Sequence, residues 1–497
     1  MATLQSADSP DPRARRRLAR RIYPAVLCGA LALAPTLSAQ NDGASSRTAS
    51  RLEAVDRYLR QELRRQRIPG MSVAVLRGGK VVLARGYGLA NVEHRVPATD
   101  STVYQSGSLG KMFTAALVLQ LADSGRLRLD DPIRRYLPEG PPRWDSVSVR
   151  HLLTHTSGIP DYTDSVVDLR RDYSEAELVG IAAALPPLSV PGERWSYSNT
   201  GYVLLGAIVR RAGGRFYGEL LRERIFEPLH MRASRIISEA DIVPHRSDGY
   251  RLQGDTLKHQ DWVAPALNTT ADGSLYVTVN DLVRWIVGLD THRVLAAPAL
   301  AAAWTPVRLN DGGSYPYGFG WMMDGLRGQP TVGHTGSWQG FKTALERFPS
   351  ANLTIIVLAN LEQAQPYAIA LGIAGLLDPS LVPPHRLSSA LPGPRPPEPV
   401  DTVLRRLARD TGDAALTPGL RRFLTAQDRR EWSELASDVV SWVPLGCDAV
   451  SGPPIERLGA SVTHTCYARG TSARGASILT IFYTGDWRVA DANSYRY

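Results

Sequence analysis

Apolar residues at Leu52, Val55, Tyr58, Leu59 and Leu63 alternate with charged ones at helical spacing and predict a helix over 51–67. Pro69-Gly70 ends it, and the polar stretch 40–49 before it reads as a linker. Two apolar, strand-forming runs, 71–76 and 81–87, flank Gly78-Gly79 and predict a hairpin. A longer apolar segment from Ser108 to Ser124, stopped by Gly125, predicts a helix. Residues 130–265 lack alternating strands and read as helices and loops, with an apolar core helix over 201–211. Strand character returns at 318–323 and 334–348. The β-branched run 353–358 suits a central strand, and 367–377 suits a closing helix. Residues 379–400 are rich in proline and predict a semi-rigid linker. Beyond it, 404–432 reads as helical and 442–450, 461–469, 476–484 and 487–490 as strands. No internal repeat is found.

This order of elements reads as an α/β chain over 50–378, with mostly helices and loops at about 130–265, then a small α+β domain over 401–497. The length of 497 residues agrees with about two to four domains. The formal charge is +9, but six arginines and two aspartates lie in residues 1–39, which leaves +5 on the rest. No basic patch is interleaved with aromatics, so a nucleic-acid partner is excluded. The same 39 residues change the picture in another way. A basic run over 13–21, a short apolar stretch over 22–33 and Leu37-Ser38-Ala39 before Gln40 read as a signal peptide. A periplasmic or secreted protein is expected. The apolar stretch is short for a spanning helix, so stable membrane anchoring is not expected. Cys28 would leave with the leader. Cys447 and Cys466 remain as a disulfide candidate, with two buried thiols as the alternative. His151 and His155 stand at i, i+4, but no Glu follows His151 as in a zinc-peptidase helix; they read as structural, and no metal site is expected.

The candidate chemistry begins at Lys111, one of four lysines beside 53 arginines. Ser108-x-x-Lys111 is the only such pairing in the chain. Positions i and i+3 share a helix face, so hydroxyl and amine can meet. Unlike arginine, a buried lysine can lose its proton and act as a base. Tyr197-Ser198-Asn199, the only Tyr-x-Asn, follows, and then His334-Thr335-Gly336.

Three motifs in this order resemble those of the serine β-lactamase and penicillin-binding-protein superfamily. His151-Leu-Leu-Thr-His-Thr-Ser-Gly158, Asp272-Gly-Ser-Leu-Tyr and Tyr317-Gly-Phe-Gly-Trp321 resemble its class C branch. The resemblance spans roughly 50–375 and implies the β-lactamase/transpeptidase-like fold, an antiparallel sheet flanked by helices with an all-helical subdomain at about 130–265, and an acyl-enzyme on Ser108. It makes Lys111 the first candidate for the base and Tyr197 the second, with Tyr197 shuttling a proton to the leaving group. It implies that Asn199 binds Lys111 and the substrate amide, and that His334, Thr335, Gly336 and Ser337 bind substrate. The backbone amides of Ser108 and Ser337 would hold the oxyanion. No cofactor is implied. Two departures bear on substrate. His334 stands where many β-lactamases carry lysine, as in D,D-carboxypeptidases, D-aminopeptidases and esterases of the superfamily. Gly110 stands where Ser or Thr is frequent, which widens the local space. The expected partner is a small-molecule or peptide substrate: β-lactam, D-peptide and ester stay open, as does cell-wall contact. A penicillin-binding sensor that acylates without turnover is the rival reading.

Overall fold

The computed structural model describes residues 37–162, 167–409, 412–450, 455–473 and 475–497, the side chains of 37–48 excepted. The expected leader lies outside the described residues, save its last three. These three begin helix α1, Leu37–Arg65. The helix therefore starts well before residue 51 and takes in the stretch read as a linker: 40–49 contains no proline to stop it. Among the described residues no helix is long and apolar enough to cross a membrane.

Residues 50–497 form one compact unit. Its main sheet uses β1 (Gly70–Arg77), β2 (Lys80–Asn91), β3 (Met322–Leu326), β4 (Gln329–Trp338), β5 (Phe341–Phe348) and β6 (Leu353–Ala359). The order is β3-β4-β5-β6-β1-β2, with a short edge strand Val96–Pro97 beyond β2. Every neighbouring pair is antiparallel. The run read as a central strand, β6, lies at the middle of the sheet. Both its faces are buried: Ile356 and Leu358 join one core cluster, and Ile355, Val357 and Ala359 the other. Strand periodicity of two sends alternate residues to opposite faces, so a strand covered on both sides reads as unbroken apolar sequence.

One cluster packs helix α2 (Gly110–Asp123) against the sheet through Met112 and Phe113. The other packs α1, through Val55 and Leu59, and α5 (Pro366–Leu377), through Ile369 and Ile373. Between these lie α3 (Asn199–Gly213) and α4 (Val279–Asp290). Helix α3 begins at an N-cap, where the Gly201 amide donates to Ser198 Oγ at 3.2 Å. It ends at Gly214 in the left-handed region. The segment 130–265 is not free of strands: Tyr250–Gln253 and Thr256–His259 pair as a hairpin around Gly254-Asp255. The strand expected at 318–323 starts only at Met322, because Gly320 turns with φ 76°.

Past the proline-rich stretch come α6 (Val400–Ala408), Pro418–Phe423 and α7 (Ala426–Asp438), three helices where one continuous helical run was expected. Pro418 and the N-cap at Thr425 divide them. Strands β7 (Val439–Ala449), β8 (His464–Ser472), β9 (Gly475–Tyr483) and β10 (Val489–Arg496) form an antiparallel sheet in chain order. Cys447 and Cys466 face each other on β7 and β8 and are joined by a disulfide.

Candidate active site

The turn Gly107–Leu109 runs directly into α2, so Ser108 stands at a helix N-terminus, where free amides and the helix dipole favour negative charge. One turn on, Lys111 is wholly buried. Its Nζ donates to Ser108 Oγ at 3.1 Å, to Asn199 Oδ1 at 2.7 Å and to the Asp272 carbonyl at 2.6 Å. It also lies 4.9 Å from the centroid of the Tyr197 ring and 5.4 Å from that of Tyr202. The sequence spacing therefore brings Ser108, Lys111, Tyr197 and Asn199 together. An amine within hydrogen-bond reach of a hydroxyl at a helix N-terminus can take that hydroxyl's proton as it attacks.

Three further residues, to which the sequence reading gave no part in the chemistry, hold this arrangement. Asp161 Oδ2 accepts from the backbone amide of Asn199 at 2.8 Å and from its Nδ2 at 2.9 Å, which points Oδ1 toward Lys111. Asp272 supplies its carbonyl to Lys111 while its carboxylate accepts from Tyr162 at 2.8 Å and Thr270 at 2.6 Å. Beneath Tyr197, the His155 ring packs at 4.3 Å between centroids. Ser198 N–H donates to His155 Nδ1 at 3.1 Å, so Nε2 carries the proton, and Nε2 has no hydrogen-bond partner among the described residues. Burial, with Lys111 nearby, holds this imidazole neutral far below its ordinary range. His151, by contrast, closes a capping box with Ser148 and takes no part in the site.

The strand β4 closes the other side. A Cβ on Gly336 would fall 2.1 Å from Ser106 O and 3.0 Å from Ser108 N; one on Gly107 would fall 2.4 Å from Ser337 N. The 106–108 turn and β4 thus meet backbone to backbone, with the amides of Ser108 and Ser337 on adjoining segments. Thr343 Oγ1 donates to Ser106 O at 2.7 Å and ties β5 to the same turn. Gly110 is placed by a similar approach: its Cβ would lie 2.8 Å from Gly273 Cα. Glycine there does not widen the space, as expected from sequence, but lets the helix sit against the Asp272-Gly273 loop.

His334 is buried. Thr335 O can only accept, so the 2.6 Å contact puts the ring proton on Nδ1 and leaves Nε2 to accept from the Tyr317 hydroxyl at 3.0 Å. Burial, with Lys111 nearby, pushes His334 down to about 3, so it is neutral at pH 7. Ser337 is exposed, and its Oγ lies 3.4 Å from Glu362 Oε1. Thr335 departs from expectation. It pairs with Ala344, and Gly333 with Glu346, whereas His334 and Gly336 pair with Leu345 and Thr343. Alternation turns Thr335 to the opposite face of the sheet, away from Ser108.

Residues 55–377 match the family model described as Beta-lactamase. The chain is similar to penicillin-binding protein 4* of Bacillus subtilis (strain 168), with 28% identity over 390 residues, 74% of this chain and 84% of that protein. It is also similar to the D-aminopeptidase of Gluconobacter oxydans (strain 621H), with 29% identity over 319 residues, 61% of this chain and 59% of that one. The octameric penicillin-binding protein homologue from Pyrococcus abyssi shares the fold, with TM-score 0.59 and 23% identity, covering 90% of this chain and 96% of that one. The chain belongs to the β-lactamase family of serine hydrolases.

Proposed function

We propose that this member of the β-lactamase family is an exported hydrolase that forms an acyl-enzyme on Ser108 and acts on D-amino-acid amides and peptides or small esters. The observation that carries the reading is buried Lys111, with Nζ 3.1 Å from Ser108 Oγ. In the proposed reaction Ser108 Oγ attacks the substrate carbonyl as its proton passes to Lys111 Nζ. The amides of Ser108 and Ser337 hold the oxyanion; one such donor is typically worth about 2.7–4 kcal/mol in the transition state. The carbon–nitrogen or carbon–oxygen bond then breaks, and the leaving group takes a proton relayed through Tyr197. Water attacks the acyl-enzyme, Tyr197 accepts its proton, and the free acid departs as Ser108 regains its own. Asn199, aimed by Asp161, holds Lys111 and the substrate amide.

His334 supports the substrate class. A neutral, buried imidazole already bonded through both nitrogens offers no positive charge to a substrate carboxylate. Lys342, opposite Ser337 on β5, is paired with Glu362 at 3.1 Å. A site of this kind suits amides and esters without a carboxylate beside the scissile bond better than β-lactams, which carry one. The similar protein named D-aminopeptidase points the same way. The basic and apolar segments of residues 1–39 support export, and we read 50–378 as the hydrolase domain, 379–400 as a linker and 401–497 as an appended domain.

Intact-protein mass after treatment with a fluorophosphonate, and separately with a penicillin, tests this, together with turnover of D-alanine p-nitroanilide. The expected result is fluorophosphonate labelling that is lost in Ser108→Ala, and anilide turnover above penicillin hydrolysis. Labelling that persists in Ser108→Ala would remove Ser108 as nucleophile. Faster turnover of the penicillin would overturn the substrate class, and stable penicillin acylation without turnover of either would make the chain a binding module.

A further inference from the structure

On the face of the main sheet turned away from Ser108 lies a cavity of about 480 Å³, within the range of small-molecule sites. Its lining includes none of Ser108, Lys111 and Tyr197. Thr331 and Thr335 of β4 and Glu346 of β5 form one wall, and Asp491 and Tyr495 of β10 the facing one.

The charges in this cavity do not balance. Arg457 is its only basic lining residue. That guanidinium is buried, bridges Asp491 at 2.8 Å and Asp324 at 2.5 Å, and lies 3.7 Å from the centroid of the Phe482 ring. Two carboxylates thus surround one cation, and the Arg457 Nε–H is buried without a partner among the described residues. A third carboxyl, on Glu346, is 5% exposed and has no hydrogen bond or ion pair among the described residues. Burial and the neighbouring Asp324 hold it protonated well above the usual carboxylate range. Asp428 and Glu431 add further acid from α7. Aromatic and aliphatic side chains make up much of the remaining lining: Tyr315 stacks on Phe423 at 5.4 Å, and Tyr367 meets Tyr495 edge-on at 5.8 Å. An unpaired buried carboxyl is costly for a protein to keep unless something answers it. Carboxylates set among aromatic faces answer a cation, through charge-assisted hydrogen bonds and cation–π contact.

We propose that this cavity is a binding site for a small organic cation, a protonated amine on an aromatic or apolar body. The ammonium group hydrogen-bonds Asp324 and Glu346, which releases its proton to solvent as the cation binds, and the body packs among the tyrosines and Phe423. The site stands apart from the hydrolytic one and does not depend on the reading of Ser108.

Isothermal titration of the full chain carrying Ser108→Ala, with phenethylammonium chloride as probe and 2-phenylethanol and phenylacetate as uncharged and anionic comparisons, tests it. Phenethylammonium is expected to bind one to one, with the alcohol weaker by about tenfold and phenylacetate weaker still. Glu346→Gln, which keeps the shape but cannot give up a proton to face the bound ammonium as a carboxylate, is expected to weaken the cation by about tenfold and leave the alcohol unchanged. Ala492→Trp, whose ring would fill the cavity from β10, is expected to abolish binding of both, with unchanged far-ultraviolet circular dichroism. The proposal is overturned by absence of saturable binding at millimolar probe, by equal affinity for the alcohol, or by binding that both substitutions leave intact.

Discussion

Lysine at position 111 is not exchangeable for arginine if it receives the Ser108 proton, because a guanidinium stays charged and its planar fork is too large for a fully enclosed site. Lys111→Arg is expected to lower kcat/KM for D-alanine p-nitroanilide by on the order of 10³ or more, as losses of members of a catalytic unit do. Activity near the wild-type value would remove Lys111 from the proton path. Asp161 is the positioning residue to test beside it. Asp161→Ala removes the acceptor of both Asn199 donors, so Asn199 Oδ1 loses its aim at Lys111. The expected outcome is kcat down by about tenfold with KM nearly unchanged; a change confined to KM would make Asp161 a substrate contact instead. The difference between these two residues shows what sequence could carry at this scale. Ser108, Lys111, Tyr197 and Asn199 were legible because their types and spacings are rare in this chain and chemically specific. Asp161 and the Asp272 carbonyl were not, since an aspartate in a loop has many uses and every residue has a carbonyl. His334 was legible as an imidazole but not as a neutral one: its protonation depends on burial and on Tyr317, neither of which spacing reveals.

Secondary-structure elements meet at this site through glycines, and that makes the packing testable. Gly336→Ala would place a methyl 2.1 Å from Ser106 O and 2.4 Å from Thr343 Oγ1, contacts that only a backbone shift relieves. The expected cost is about 1–3 kcal/mol of stability, as for overpacking elsewhere, with fluorophosphonate labelling of Ser108 slowed because β4 and the Ser108 turn move apart. Gly180→Ala is the contrasting case. In the helix Glu175–Ala184 its Cβ meets nothing within 4 Å, so the change should stabilise by about 0.5–1 kcal/mol through helix propensity. Guanidinium unfolding midpoints of both variants decide the matter; a neutral Gly336→Ala with full labelling would mean the contact is not tight. The elements themselves were legible where one signal dominated: β6 by its unbroken apolar run, β1 and β2 by the Gly78-Gly79 turn, α2 by its length. They failed where tertiary contact overrode pattern. Gly320 brings backbone against Lys111 O, which a Cβ there would approach to 2.7 Å, and breaks the expected strand. The hairpin around Gly254-Asp255 was missed because its strands are four residues each, too short for alternation to show, and only Tyr250 of them is buried.

At the scale of the whole molecule, histidines held as neutral rings, with His155 and His334 buried and His385 partly buried, set how stability follows pH. His334 and His385 are both pushed down to about 3 by burial, and His155 is lowered well below its ordinary value. In the unfolded chain each regains an ordinary value near 6.5. Above that value neither state binds the proton, and the folded state keeps its full margin. As pH falls below about 6.5 the unfolded chain takes up protons that the folded rings refuse, so stability is lost progressively down to about pH 3, where His334 and His385 also protonate. Each such group steepens the fall by up to about 1.4 kcal/mol per pH unit. Glu346 acts in the opposite sense. Its raised value means that the unfolded chain loses a proton which the folded chain keeps, so its contribution is lost as pH rises above the ordinary carboxylate range. Glu346→Gln should therefore raise the unfolding midpoint at neutral pH and leave the acid limb as it was. His385→Gln should flatten the acid limb and leave the neutral plateau, since among the described residues the His385 side chain hydrogen-bonds Tyr495, packs on Tyr497 and lies outside the candidate active site. Guanidinium titrations of wild type and the two variants across that range measure both effects. If His385→Gln leaves the acid slope unchanged, the acid sensitivity comes from carboxylates such as Asp130, held low by Arg150, and Asp413, held low by the Ala415 amide and Arg406, and not from the imidazoles.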